Sequence, residues 1–227
     1  TFWKNTDFLT MAKEKNTIGI HLKNLKRMIS IYKIKPKFQQ LLMPLLKLLR
    51  GWGISPNAIT ILSIILSFAL SYFFWNASDG SSYFLIVAFG LLLRMMLNAL
   101  DGMMARIYNL QSKLGEILNE VGDIISDVAI YFPLIIFSSL SIEIAIIFIL
   151  LSIINEFCGL IAKVISGERR YDGPMGKSDR AFLIGVICIV YYFTNSLDPY
   201  MNYIIGGSSI LMIFSSFIRL TKSIKNG

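Results

Sequence analysis

From residue 54 onward the chain alternates long apolar runs with short polar turns. Six runs fall at 57–77, 82–107, 115–139, 143–166, 180–196 and 200–220, each near the ~20 residues a helix needs to cross a bilayer. The first opens with Ser55 as N-cap and Pro56 at the first helical position, where its missing N–H costs nothing. Residues 18–50 have a different pattern, with apolar residues at helical spacing and Lys and Arg between them. That pattern predicts one or two amphipathic helices on the membrane surface, broken or kinked at Pro36 and Pro44. Gly51 to Pro56 reads as a turn. The predicted fold is therefore all-α and polytopic: a basic amphipathic juxtamembrane segment over 1–53, then six transmembrane helices over 54–227.

Composition agrees: 55% of the 227 residues are hydrophobic and the mean hydropathy is +0.62, which excludes an ordinary soluble domain. Charge adds orientation. Residues 1–53 hold eleven of the 22 Lys and Arg, while 78–81, 140–142 and 197–199 hold none. By the positive-inside rule both termini and the 108–114 loop face the cytoplasm, as expected of a bacterial inner-membrane protein. The net charge of +8 then points to anionic lipid rather than nucleic acid. Cys158 and Cys188 lie within apolar runs and predict no disulfide. The polar, basic start of the chain does not read as a cleavable signal peptide. His21, the one histidine, reads as a surface residue.

One stretch breaks the apolar rule. Asn98, Asp101 and Ala105 share a helix face at i, i+3 and i+7, and Asn119, Asp123 and Asp127 share another at i, i+4 and i+8. Three carboxylates within the membrane cost roughly 10 kcal/mol if nothing compensates them. Clustered carboxylate and amide oxygens suit a hard divalent cation, Mg²⁺ or Mn²⁺. Counting at 1.5 Å per residue puts Arg94 and Asp127 at about the same depth, ~18–20 Å from the cytoplasmic ends of their helices, and predicts an ion pair between them. Glu156, mid-span, is either a functional group or a polar link between helices.

The same residues resemble the motif of the CDP-alcohol phosphotransferases: Asp, two residues, Asp-Gly, two residues, Ala-Arg, eight residues, Gly, three residues, Asp, three residues, Asp. Asp101-Gly102, Ala105-Arg106, Gly115 and Asp123 fall at that spacing without insertion, but Asn98 and Asn119 stand at two of its four Asp positions. Pro56-Asn57 and Thr60 extend the similarity, although the same residues also make a plain helix start. The resemblance implies attack of an alcohol on a CDP-activated substrate with release of CMP. It gives Asp101, Asp123, Asn98 and Asn119 as metal ligands, with Asp127 or Glu120 as compensating carboxylates, and Asp123 as general base. Gly102, Ala105, Arg106, Gly115, Asn57 and Thr60 would contact the nucleotide. Arg169, Arg170, Lys177 and Arg180, in or beside a loop shaped by Gly173-Pro174 and Gly176, would bind the phosphate of a phosphorylated acceptor; ordinary positive-inside bias would also place them there.

The expected partners are CDP-diacylglycerol, a small polar alcohol, membrane lipid and a second copy of the chain. Two other readings stay open: a soluble CDP-alcohol donor with diacylglycerol as acceptor, and a small transporter or catalytically silent lipid-binding protein.

Overall fold

The computed structural model describes residues 34–78 and 81–226. The reading of 18–33 as amphipathic, and that of His21, lie outside these residues. Helix α1 (Ile34–Gly51) runs through both prolines rather than breaking at them. Pro36 falls in its first turn, where the N–H has no helical partner in any case. The described residues divide into two units at the boundary between Lys47 and Leu48.

The second unit holds six further helices: α2 (Pro56–Trp75), α3 (Ser82–Ile107), α4 (Lys113–Tyr131), α5 (Ile142–Ser166), α6 (Lys177–Phe193) and α7 (Met201–Asn226). Four start on a serine whose hydroxyl accepts a first-turn N–H: Ser55, Ser81, Ser112 and Ser141. Helix α6 starts instead on Gly176, whose N–H donates to Asp179 Oδ2 at 3.0 Å. Helix α5 ends on Gly167 in the left-handed region, φ 77°. Helix α4 ends earlier than the apolar run does, passing into a 3₁₀ turn (Phe132–Ile136) that contains Pro133, because proline cannot donate to the α-ladder.

Helix α2 packs on α3 and α4, α3 on α6, α4 on α5, and α5 on α7. The apolar core fills one end of the bundle, where Leu70, Phe74, Phe84, Tyr131, Phe148 and Tyr191 are buried together. Outward faces carry Phe68, Leu92, Leu93, Leu150, Phe157 and Phe214, all exposed, as suits lipid rather than water. Among the described residues, four helical segments are long and apolar enough to cross a membrane: Pro56–Trp75, Ser82–Ile107, Ile142–Ser166 and Asp198–Lys225. Of the six predicted spans, those matching α4 and α6 fall short of that criterion. Both helices carry charged residues inside the bundle, and α6 has only 17 residues.

The loop between α5 and α6 is docked on α7. Asp172 O accepts from Ser215 Oγ at 3.0 Å and from Arg219 Nε at 3.2 Å. Beside it, Gly173 has φ +95°, and a Cβ there would lie 2.7 Å from Ser215 Cα. Gly173→Ala is therefore expected to cost about 1–3 kcal/mol, read as a lower melting temperature in detergent and faster proteolysis within 167–176. An unchanged melt would mean that the loop is not held against α7.

Candidate functional site

The polar groups gather at the end of the bundle opposite the apolar core. Thr60, one turn into α2, donates from Oγ1 to Asp101 Oδ2 at 2.9 Å. Asn119 of α4 donates from Nδ2 to the same oxygen at 3.2 Å, and the Gly102 N–H donates to Asp101 Oδ1 at 2.5 Å. Neutral donors from three helices thus hold the buried Asp101 carboxylate. Asn98, one turn back on α3, accepts from Ser63 Oγ at 2.7 Å through its Oδ1. Ser63 lies one turn beyond Thr60 on α2, so the 3.6-residue period could have found it. Asp123, one turn beyond Asn119, is ion-paired to Lys177 at the start of α6.

The residues assigned to the nucleotide fall into two local groups. A Cβ on Gly115 would lie 2.7 Å from Asn57 Oδ1, so the starts of α2 and α4 touch where a side chain would part them. Gly102 lies under the Arg106 guanidinium, whose Nη1 would be 3.4 Å from an added Cβ. Ala105 lies between them on α3, half-buried.

Asp127 is held apart from this group by arginine. Arg94 Nη2 lies 2.8 Å from Oδ1 and Arg180 Nη2 lies 2.7 Å from Oδ2, so the ion pair predicted from helix depth is present and a second guanidinium joins it. These side chains are at most 2% exposed, so Asp127 has no accessible oxygen left to offer. Arg180 also reaches Glu156 Oε1 at 2.9 Å, Asn155 Oδ1 at 3.2 Å and Met175 O at 3.2 Å. Glu156 is thereby a link between helices. Its other oxygen takes Arg169 Nη2 at 2.8 Å, and Arg169 Nη1 lies 2.6 Å from Glu120. Arg170 lies 3.8 Å from Asp172. The four basic residues assigned from sequence to an acceptor phosphate thus all lie against acids of their own chain. Arg219, which the sequence did not mark, is buried and donates to Asn155 O at 2.5 Å. In the loop, the Arg169 guanidinium lies 5.0 Å from the ring centroid of the exposed Tyr171.

Among the described residues no three of His, Cys, Asp and Glu are grouped to hold a metal. A cation site here must draw on amides as well. Asp101 and Asp123 supply charge, Asn98 Oδ1 keeps a second lone pair, and turning the Asn119 amide about its last bond would present its oxygen. This all-oxygen set fits one hard divalent ion, which commonly needs only one or two carboxylates when a phosphate completes its shell.

The sequence profile of the CDP-alcohol phosphatidyltransferase family matches residues 53–218. The inner membrane protein YnbA of Escherichia coli (strain K12) is 38% identical over 191 residues, covering 84% of this chain and 94% of that protein. An archaetidylinositol phosphate synthase of Pyrococcus horikoshii is 34% identical over 100 residues, covering 44% and 50%. Among solved structures, Mycobacterium tuberculosis phosphatidylinositol phosphate synthase (PgsA1) with CDP-DAG bound has a TM-score of 0.65 at 19% identity, covering 81% of this chain and 94% of its own. The same protein in complex with manganese and citrate gives 0.64 at 20% identity, with coverage of 79% and 87%.

Proposed function

The chain belongs to the CDP-alcohol phosphatidyltransferase family, and on that premise we propose that it moves a phosphatidyl group from CDP-diacylglycerol to a small polar alcohol, releasing CMP. The observation that carries this reading is the hydrogen bonding of Thr60 and Asn119 to Asp101, which joins α2, α3 and α4 at one end of the bundle, with Asn98 one turn before Asp101 and Asp123 one turn beyond Asn119. The solved relative with CDP-DAG bound, which shares the fold, supports the donor.

The alcohol oxygen attacks the lipid-linked phosphorus, the bond from that phosphorus to the CMP oxygen breaks, and CMP leaves. Asp123 takes the hydroxyl proton as general base. A divalent ion, Mg²⁺ or Mn²⁺, when bound would neutralise the diphosphate and the departing phosphate; Asp101, Asp123, Asn98 and Asn119 would hold it. Thr60 orients Asp101. Gly102, Ala105 and Gly115 leave room for the nucleotide beside Asn57, and Arg106 meets a phosphate at the end of α3. Arg169, Arg170 and Lys177 form a basic rim that would receive a phosphorylated acceptor by exchanging carboxylate partners for phosphate, while Arg180, wholly buried beneath them, holds the helices that carry the rim.

The site would face the cytoplasm of a bacterial inner membrane. All six helices α2–α7 would cross it, the charges of α4 and α6 being turned into the bundle, and the basic segment 1–53 would lie on the surface. A homodimer is the expected assembly. The test is CMP release from CDP-diacylglycerol across a panel of inositol, inositol phosphate, glycerol 3-phosphate and serine. Release is expected only with Mg²⁺ or Mn²⁺ and with one acceptor strongly preferred. Release that persists in excess chelator would overturn the mechanism. Turnover of CDP-choline or CDP-ethanolamine with diacylglycerol, but not of CDP-diacylglycerol, would reverse the roles of donor and acceptor.

A further inference from the structure

The charges at this end of the bundle match one another closely, and the match leaves one residue over. Asp127 is taken by Arg94 and Arg180, and Glu120 and Glu156 by Arg169 and Arg180. The acids that still face the site are Asp101 and Asp123. Asp101 is held by neutral donors, and the cation on Asp123 is the Lys177 ammonium. Counting the Arg106 guanidinium over Gly102 as well, two carboxylates stand against two fixed cations and leave no net charge. One divalent ion turns that to two positive charges, a match for the two negative charges of a diphosphate. A second divalent ion would meet no further carboxylate, since Asn98 and Asn119 supply only neutral oxygens.

Displacement at phosphorus is commonly assisted by two cationic centres, one for the attacking and one for the leaving oxygen. Lys177 is built to be one of them. It is the first residue of α6, and the helix start is fixed by the Gly176 N–H to Asp179. One turn on, Arg180 anchors the helix in the buried ion lattice. The Lys177 side chain is 21% exposed and Asp123 11%, so the ammonium is partly shielded yet within reach of substrate.

We propose that Lys177 is a resident cation of the site, taking the place of a second metal ion, so that each chain binds one divalent cation at Asp101 and Asp123. The inference rests on the metal-dependent transfer proposed above. In the free protein Lys177 neutralises Asp123, and with substrate bound it turns to a phosphate and frees Asp123 to accept the proton.

The experiment uses the full chain in detergent or nanodiscs, with Mn²⁺ as probe and electron paramagnetic resonance as readout. Wild type should bind one magnetically isolated Mn²⁺ per chain. Lys177→Met should still bind one, roughly tenfold tighter, because a nearby positive charge has been removed; Lys177→Arg should keep wild-type affinity. The triple variant N98D/N119D/K177M should bind two Mn²⁺ with a coupled spectrum, and melting curves check that each variant folds. Two coupled ions in wild type, no bound ion, or unchanged Mn²⁺ affinity in Lys177→Met would each overturn the proposal. CMP release, measured in parallel, separates the two ideas. Metal-dependent release from a chain holding two Mn²⁺ sinks this inference alone, whereas one Mn²⁺ without release from any CDP substrate sinks the transferase reading alone.

Discussion

Asp123→Asn is expected to lower CMP release roughly 100- to 10,000-fold, the usual worth of a positioned general base. The substitution keeps the side chain's size and removes only its charge and its capacity to take a proton. Among the described residues its ion pair is with Lys177, which stays partly exposed and can turn to water. Folding should therefore be little affected, and the loss should appear in kcat rather than in the melting temperature. Asp123→Ala should lose at least as much. Steady-state CMP release from CDP-diacylglycerol at saturating Mg²⁺ is the measurement. An Asp123→Asn variant within a few-fold of wild type would remove this residue from the chemistry.

Arg180→Met is expected to act on stability instead, by about 3–5 kcal/mol, as when one partner of a buried ion pair is removed. Arg180 is wholly buried and touches Asp127, Glu156, Asn155 and Met175 O, so four contacts go at once. The lower end of the range is the better expectation, because Asp127 keeps Arg94 and Glu156 keeps Arg169. Adding Arg94→Met strips Asp127 of both partners, and the double variant should lose more than the sum of the singles. Lys222→Ala is the control. Its pair with Asp172 is half exposed on the lysine side, where such contacts contribute about 0–1 kcal/mol. Thermal unfolding in one detergent compares them. Equal melting temperatures for wild type and Arg180→Met would mean that the ion lattice does not hold the helices together.

How far the sequence carries depends on what each feature responds to. The run 82–107 coincides with α3, and 57–77 and 143–166 lie within a residue or two of α2 and α5, since length and hydropathy are what a bilayer selects. The predicted third span overruns the end of α4 because Phe132 to Ile136 is as apolar as a helix, and only the missing N–H of Pro133 marks the change. The predicted fifth span starts three residues later than α6 does. The cap of α6 is an Asp179 carboxylate reaching back to Gly176, not a hydrophobic boundary.

Arg94 with Asp127 is legible because helical rise converts sequence position into depth. The partners of Arg169 and Arg180 are not. Their acids come from α4 and α5, and nothing local says which faces of those helices turn towards the loop. The spacing from Asn98 to Asp123 is readable because helix period alone decides which residues share a face.

The buried guanidinium lattice also constrains how the protein is made. Arg94 leaves the ribosome on α3 before Asp127 of α4 exists, and Arg180 follows only with α6. A lone arginine at mid-membrane costs about 2.5–3.5 kcal/mol on translocon scales. Nascent α3 would therefore linger beside the insertion machinery until the next hairpin is synthesised, and chains cut short before α4 would become substrates for membrane quality-control proteases.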